Sequence, residues 1–451
     1  MKELMTQQEA VQMISRHKKC HIITFGCQMN EYDSLRMAQI LSDTYRLTPF
    51  AEDADLILIN TCSIREKAEH KLYSLLGRLR PLKQKKPGLK IGVTGCVAQQ
   101  LGKRLFSRAP HIDIVAGPQG LYGLPRALKA IEDGKTHIAM TRLEDKFQIP
   151  QVSVPLPIRR PTRAFVTIMQ GCDNFCTYCI VPFVRGREMS RPPQDILSEI
   201  RSLVEQGVKD ITLLGQNVNS YGKNLPEPVE FPDLLRAIDD RFPELRLRFT
   251  TSHPKDLSDD LISCFSSLQG LCEHLHLPVQ SGSNSILRRM NRKYTIEQYL
   301  EKVEKLRKTC PGITITTDII VGFPGETDKD FQDTISLLEI VRFDQIFTFK
   351  YSERPGTAAA TFTDSVPEEV RKERLQQVIE LQNRIGLEQY RRLENSVMEC
   401  LIEKGQGMKL QGRTRGNHVV NIIENKQLVG QTVNVFIEKA CHHSLKGRLV
   451  N

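Results

Sequence analysis

Three short apolar runs, "CHIITFGC", "DLILINTC" and "LKIGVTGC", each end in a cysteine: Cys27, Cys62 and Cys96. They recur at intervals of 35 and 34 residues, the length of one strand–helix–strand unit. The segments between them, "EYDSLRMAQILSD" and "REKAEHKLYSLLGRL", read as helices. Strands that alternate with helices at this spacing predict a parallel sheet, because parallel neighbours need a long crossover. In such a sheet the strand C-termini share one edge, where ligands bind. The three cysteines are therefore expected to meet in space. Free cysteines are common in cores. These stand among glycine and polar neighbours, in "FGCQMN", "NTCSIRE" and "TGCVAQQ", which favours a metal site.

This segment, residues 18–134, reads as an N-terminal α/β domain; the stretch before Lys18 has no assigned role. A linker, 135–157, runs into the Pro-rich "IPQVSVPLPIRRPTR" (Ile149–Arg163). Residues 158–388 alternate again. Six strand-like runs, from "AFVTIMQG" to "QIFTFKYS", alternate with helices such as "PQDILSEIRSLVEQG" and "TIEQYLEKVEKLRKT". Six repeats are fewer than a full barrel needs, so a partial, open (β/α)6 barrel is expected. Polar residues crowd its strand ends: Gln216, Asn217, Ser252, His253, Gln280, Ser281, Asp318, Tyr351 and Arg354. Of these, Gln216, Asn217, Gln280, Asp318 and Arg354 are candidate contacts to a cofactor or substrate. A long charged helix over Val366–Asn395 leads to short strands with glycine turns in 391–451, a small all-β barrel. The fold class is α/β with an all-β C-terminal module.

"QGCDNFCTYCIVPFVRGRE" sets Cys172, Cys176 and Cys179 just after the first barrel strand. A structural zinc site closes with four ligands, and no fourth Cys or His lies nearby. Three thiolates can instead hold three irons of a cubane cluster and leave one iron open to a chelating ligand. The other cysteines, Cys20, Cys264, Cys272, Cys310, Cys400 and Cys441, show no ligand spacing. His274 and His276 alternate on an apolar strand and read as packed or cofactor-facing rather than as zinc ligands. "VGFPGET" lacks the Gly-Lys-Ser/Thr ending of a P-loop, which argues against nucleoside triphosphate hydrolysis.

The chain carries 63 Lys+Arg against 53 Asp+Glu, a net charge of +10. The excess clusters in "RLRPLKQKKPGLK" (Arg78–Lys90), "RRPTR" (Arg159–Arg163), "RRMNRK" (Arg288–Lys293) and "QGRTRGNH" (Gln411–His418). Such patches fit a nucleic-acid partner. No transmembrane run and no signal peptide are apparent, so a cytoplasmic protein with its 12 cysteines reduced is expected.

Cys-x3-Cys-x-aromatic-Cys after the first strand of a partial barrel resembles the radical S-adenosylmethionine superfamily. There the open iron binds the amino and carboxylate groups of S-adenosylmethionine, and one-electron reduction yields a 5′-deoxyadenosyl radical. The resemblance puts Tyr178 near the adenine. With the dispersed cysteines and a C-terminal TRAM barrel, an OB-like RNA-binding module, nearly the whole chain resembles the methylthiotransferases. "FGCQMNEYDS", "NTCSIREKAE", "LLGQNVNSYG", "HLPVQSGSNSILRRMNRKYT", "VGFPGET" and "YSERPGTAA" resemble the branch acting on isopentenyladenosine in tRNA. The resemblance implies two [4Fe-4S] clusters, one on Cys172, Cys176 and Cys179 and an auxiliary one on Cys27, Cys62 and Cys96. It further implies S-adenosylmethionine as methyl donor and radical source, a tRNA substrate, a sulfur source, a reducing donor such as flavodoxin, and a monomer without membrane attachment. The same chemistry on threonylcarbamoyladenosine or a ribosomal-protein aspartate is the alternative. A non-enzymatic RNA-binding iron–sulfur protein is more distant, because both trios lack a closing ligand.

Overall fold

The computed structural model describes residues 17–63, 66–144, 149–150, 162–424 and 426–450. The stretch before His17 and most of the Pro-rich connector lie outside the described residues. The chain forms two compact units. One holds the N-terminal segment together with Ile180–Arg187; the other holds the remainder from Thr162 onward.

In the first unit β1 (Lys18–Phe25), β2 (Tyr45–Leu47), β3 (Leu56–Thr61), β4 (Lys90–Gly95), β5 (Ile114–Ala116) and β6 (Ile138–Met140) form one sheet. Its order is β2-β1-β3-β4-β5-β6, and every pairing is parallel. Side chains of a strand alternate between faces. Ile57, Ile59, Ile91 and Val93 pack against the helix Glu66–Lys85 through Leu72, Leu76 and Leu79. Leu56, Leu58 and Ile114 pack on the other face against Met37 of helix Gln28–Ile40 and Leu124 of helix Leu124–Glu132. Phe25 pairs with Thr61 and Thr61 with Gly95, so the three central strands finish level with one another.

The segment read as linker, 135–157, contains β6, a sixth strand of the sheet, and Gln99 Nε2 donates to the carbonyl of Thr141, just after it, at 2.6 Å. A three-residue edge strand carries too little alternation to be read from sequence. Ile180–Arg187, assigned to the barrel, packs instead in the N-terminal unit, where Ile180 and Val184 bury against Cys96.

The second unit holds β7 (Arg163–Thr167), the short β8 (Met169–Gln170) and β9 (Met189–Ser190), β10 (Asp210–Leu214), β11 (Arg246–Phe249), β12 (His274–His276), β13 (Thr314–Val321) and β14 (Gln345–Lys350). Parallel sheets of order β11-β10-β7 and β12-β13-β14 are joined by a parallel bridge from Leu247 to Leu271, an open barrel of six strands. After the helix Glu368–Arg391, β15 (Val397–Gln406), β16 (Lys409–Thr414), β17 (Val419–Ile423), β18 (Thr432–Cys441) and β19 (Ser444–Leu449) close a barrel.

The "QGRTRGNH" patch, expected to grip a polyanion, instead docks this barrel onto β11 and β12. Arg415 pairs with Glu273 at 2.8 Å. Arg248 donates to the carbonyls of Thr414 and Arg415, and Arg246 to that of Arg413. Arg413 itself is held by Glu403 at 3.0 Å. The planar, multi-donor guanidinium suits such bridging between carboxylates and carbonyls. Among the described residues no helix is long and apolar enough to cross a membrane.

Candidate functional site

The level ends of β1, β3 and β4 bring Cys27, Cys62 and Cys96 to neighbouring positions on one sheet edge. Small residues make this approach possible. A Cβ at Gly26 would lie 2.7 Å from the Cys62 Cβ. One at Gly95, where φ is +89°, would lie 2.4 Å from Asn60 Oδ1 and the Thr61 carbonyl. Two buried asparagines brace the loops. Asn30 Nδ2 donates to Asn60 Oδ1 at 3.0 Å, Asn60 Nδ2 donates to the Asn30 carbonyl at 2.8 Å, and Asn30 Oδ1 accepts from both Cys27 N and Cys27 Sγ at 3.3 Å. A hydrogen bond from Cys62, helped by Arg185, pulls the Cys27 thiol down to about 6 against the effect of burial. Burial raises the Cys96 thiol while Arg185 opposes it, in part by a hydrogen bond. Arg185 is itself held by the buried Asp33 at 2.7 Å.

In the second unit Cys172, Cys176 and Cys179 follow Gly171, whose φ is +82°. Gln216 Oε1 accepts from the Gly171 N–H at 2.5 Å, fixing the entry to the loop. Cys179 N donates to the Cys176 carbonyl at 2.9 Å, so these two share a tight turn. The far side is clamped by the "RRMNRK" segment. Thr177 donates through N to Met290 O and through Oγ1 to Arg289 O, and Asn291 Nδ2 donates to Phe175 O. Burial raises the Cys172 thiol to about 11. Nearby Glu188 is pushed up to about 7 by burial, although the Ser220 hydroxyl donates to it at 2.6 Å.

The strand-end candidates separate into groups. Asn217 donates to Asp256 at 2.8 Å. Its Oδ1, the Asn219 amide, Ser252 Oγ and His253 Nε2 are buried with no hydrogen-bond partner among the described residues. Orphaned polar atoms at the ends of β10 and β11 fit a polar ligand lying there. Gln280, at φ +74°, bonds through its backbone to Asp318 O and Ile320 N. The Asp318 carboxylate lies 3.5 Å from His276 Nε2. Arg354 begins a turn closed by Thr357. His274 contacts Thr316 and Asn417, a packing role. In "VGFPGET" the N–H groups of Gly322 and Phe323 are taken by Glu326, which Arg374 holds at 3.0 Å, so the loop cradles its own carboxylate.

Among the described residues no three Cys, His, Asp or Glu side chains converge on a single metal ion. A cubane takes each thiolate on a different iron, and two open-ended trios of thiols match that donor set. Sequence reading did not single out Asn30, Asn60, Asp33 and Arg185, which the structure sets around Cys27, Cys62 and Cys96. Asn30 and Asn60 carried a signal in their distance from Cys27 and Cys62; Arg185 and Asp33 carried none.

Comparison with known proteins bears on these sites. Uncharacterized protein family UPF0004 matches residues 19–117, the radical SAM superfamily 166–338 and the TRAM domain 391–450. The tRNA-2-methylthio-N(6)-dimethylallyladenosine synthase of Syntrophobacter fumaroxidans is 50% identical over 435 residues, covering 96% of this chain and 95% of that protein. The protein of the same name from Geotalea uraniireducens is 48% identical, covering 97% and 100%. The chain belongs to this synthase family. It is accordingly a radical S-adenosylmethionine enzyme and a methylthiotransferase, and its chemistry depends on iron–sulfur and S-adenosylmethionine. Among solved structures, the radical S-adenosylmethionine methyltransferase TsrM of Kitasatospora setae, with cobalamin and a [4Fe-4S] cluster bound, matches with a TM-score of 0.59 at 14% identity, covering 76% of this chain and 77% of that one. At that identity the likeness concerns fold alone.

Proposed function

We propose that this enzyme replaces the C2 hydrogen of N(6)-dimethylallyladenosine at tRNA position 37, beside the anticodon, with a methylthio group. The identity of 50% over 96% of the chain to a synthase of that name carries the reading. Cys172, Cys176 and Cys179 would hold the radical cluster, and Cys27, Cys62 and Cys96 an auxiliary cluster that carries sulfur. When bound, the radical cluster and S-adenosylmethionine supply the one-electron cleavage that an unreactive aromatic C–H demands. The chain's residues do the rest. Gln216 and Thr177 fix the cysteine loop, while Asn217, Gln280, Asp318 and Arg354 offer polar contacts to cofactor or substrate, with Tyr178 beside the adenine. The domain limits of this reading are 18–134, a linker over 135–157, 158–388 and 391–451, with β6 and Ile180–Arg187 lying with the N-terminal unit. An outside one-electron donor and a sulfur source complete the reaction, and the closed barrel β15–β19 contributes to tRNA binding.

Anaerobic reconstitution of the wild type beside a Cys172→Ala/Cys176→Ala/Cys179→Ala variant tests this. Wild type should hold about eight irons per chain and the variant about four. Nucleosides from tRNA lacking the modification should gain the methylthio group with wild type only. About four irons in wild type and none in the variant would remove the auxiliary site, and with it the methylthiotransferase mechanism.

A further inference from the structure

Among the described residues the hydrogen-bond partners of Arg292 are all neutral oxygens or sulfur. It is 4% exposed. Its Nη2 donates to the Pro278 carbonyl at 2.6 Å, its Nε to the Tyr294 hydroxyl at 3.0 Å, and its Nη1 to Cys176 Sγ at 3.5 Å. Tyr294 is in turn anchored on the Val279 carbonyl at 2.7 Å. Among the described residues no carboxylate pairs with Arg292. The contrast with other buried arginines is direct: Arg185, Arg191, Arg248 and Arg374 pair with Asp33, Glu199, Asp210 and Glu326. An uncompensated buried cation is costly. A fold retains one where negative charge arrives later.

Such charge arrives with a cubane. Three thiolates on a doubly positive core leave one negative charge, and one-electron reduction makes it two. A fixed cation beside a thiolate sulfur therefore favours the reduced cluster, and hydrogen bonds to cluster sulfurs tune potential in the same direction. We infer that Arg292 is a positioning residue that raises the reduction potential of the cluster held by Cys172, Cys176 and Cys179, through its N–H contact to Cys176. The inference rests on the reading of that trio as the radical cluster's ligands. The electron comes from an outside low-potential one-electron donor; Arg292 exchanges neither electron nor proton.

The test uses the full chain carrying Cys27→Ala/Cys62→Ala/Cys96→Ala, so that only one cluster titrates. Reduction by a viologen series is followed by electron paramagnetic resonance. Arg292→Gln should show about tenfold fewer reduced clusters at a fixed donor potential, a downward shift of about 59 mV for one electron. Arg292→Lys keeps the charge and should recover part of the shift. Tyr294→Phe disturbs the same neighbourhood without removing charge and should shift it little. If no cluster loads in the unmodified Arg292 background, the reading of the trio fails. If the cluster loads and Arg292→Gln titrates with wild-type Arg292, or Tyr294→Phe shifts as far, the inference fails. It fails also if neither Arg292 variant loads, since the residue would then serve assembly rather than potential.

Discussion

The pair between Arg185 and Asp33 makes the sharpest prediction about the N-terminal site. Both side chains are nearly sealed, at 3% and 8% exposure, with Nη2 and Oδ2 2.7 Å apart. Arg185→Met keeps the apolar stem and deletes the charge, leaving a buried carboxylate without its partner. Breaking such a pair costs about 3–5 kcal/mol, whereas replacing both members with uncharged residues is often near neutral. Arg185→Met/Asp33→Asn should thus recover most of the loss, with a coupling energy of about 2–3 kcal/mol. The deficit also depends on pH. Burial already raises the Asp33 carboxyl and Arg185 lowers it, so removing Arg185 raises it further. A raised carboxyl contributes stability at low pH that is lost as pH rises through its folded value. The single variant should therefore fall further behind wild type at pH 8 than at pH 5. Hydrogen exchange of the metal-free protein over residues 28–40 and 180–187, with urea unfolding, measures the cycle. Thiol alkylation gives an independent reading: with Arg185 gone, Cys27 should lose thiolate character and react more slowly near pH 6. A single variant within about 1 kcal/mol of wild type, or strictly additive effects, would refute the reasoning.

Three other outcomes are expected. Gly95→Ala forces a Cβ to 2.4 Å from Asn60 Oδ1 and the Thr61 carbonyl at φ +89°; it should destabilise by about 2 kcal/mol or more and reduce iron loading, read by calorimetry and iron assay. Arg248→Ala removes its bond to Asp210 and its two donations to the closed barrel; it should cost about 3–5 kcal/mol and open the Arg391–Asn395 junction to limited proteolysis. Glu188, held at about 7 in the fold against a usual 4.5, contributes stability that is full below pH 4.5 and lost as pH rises through 7. Glu188→Gln should flatten that part of the metal-free protein's melting-temperature profile.

Both cysteine trios stand out in sequence because the ligand role proposed for them demands a residue type at a spacing. Cys27, Cys62 and Cys96 needed only the inference that parallel strands share an edge, and the level pairing of Phe25, Thr61 and Gly95 accords with it. The six barrel strands were legible because each lies in a strand-like run of eight residues or more, even β12, whose paired part has three. β2, β5 and β6, three residues each, were not. Their pairing comes from the neighbouring strand, not from their own pattern. The placement of Ile180–Arg187 was equally hidden. "IVPFVRGR" carries no signal for which unit its apolar face joins, and the choice fell to Cys96 and Asp33.

By itself, then, the sequence determined the candidate cysteines, the strand–helix rhythm and the family. Tertiary structure alone decided the part each arginine plays. Arg185, Arg248, Arg292 and Arg415 look alike along the chain, and two of them, Arg292 and Arg415, sit in basic patches. In the fold one faces the cysteines of the first site, one touches Cys176, and two fasten the closed barrel. The reason is that a guanidinium can be buried only where acceptors surround it. For Arg415 those acceptors lie more than 140 residues away, a distance over which no local pattern carries information.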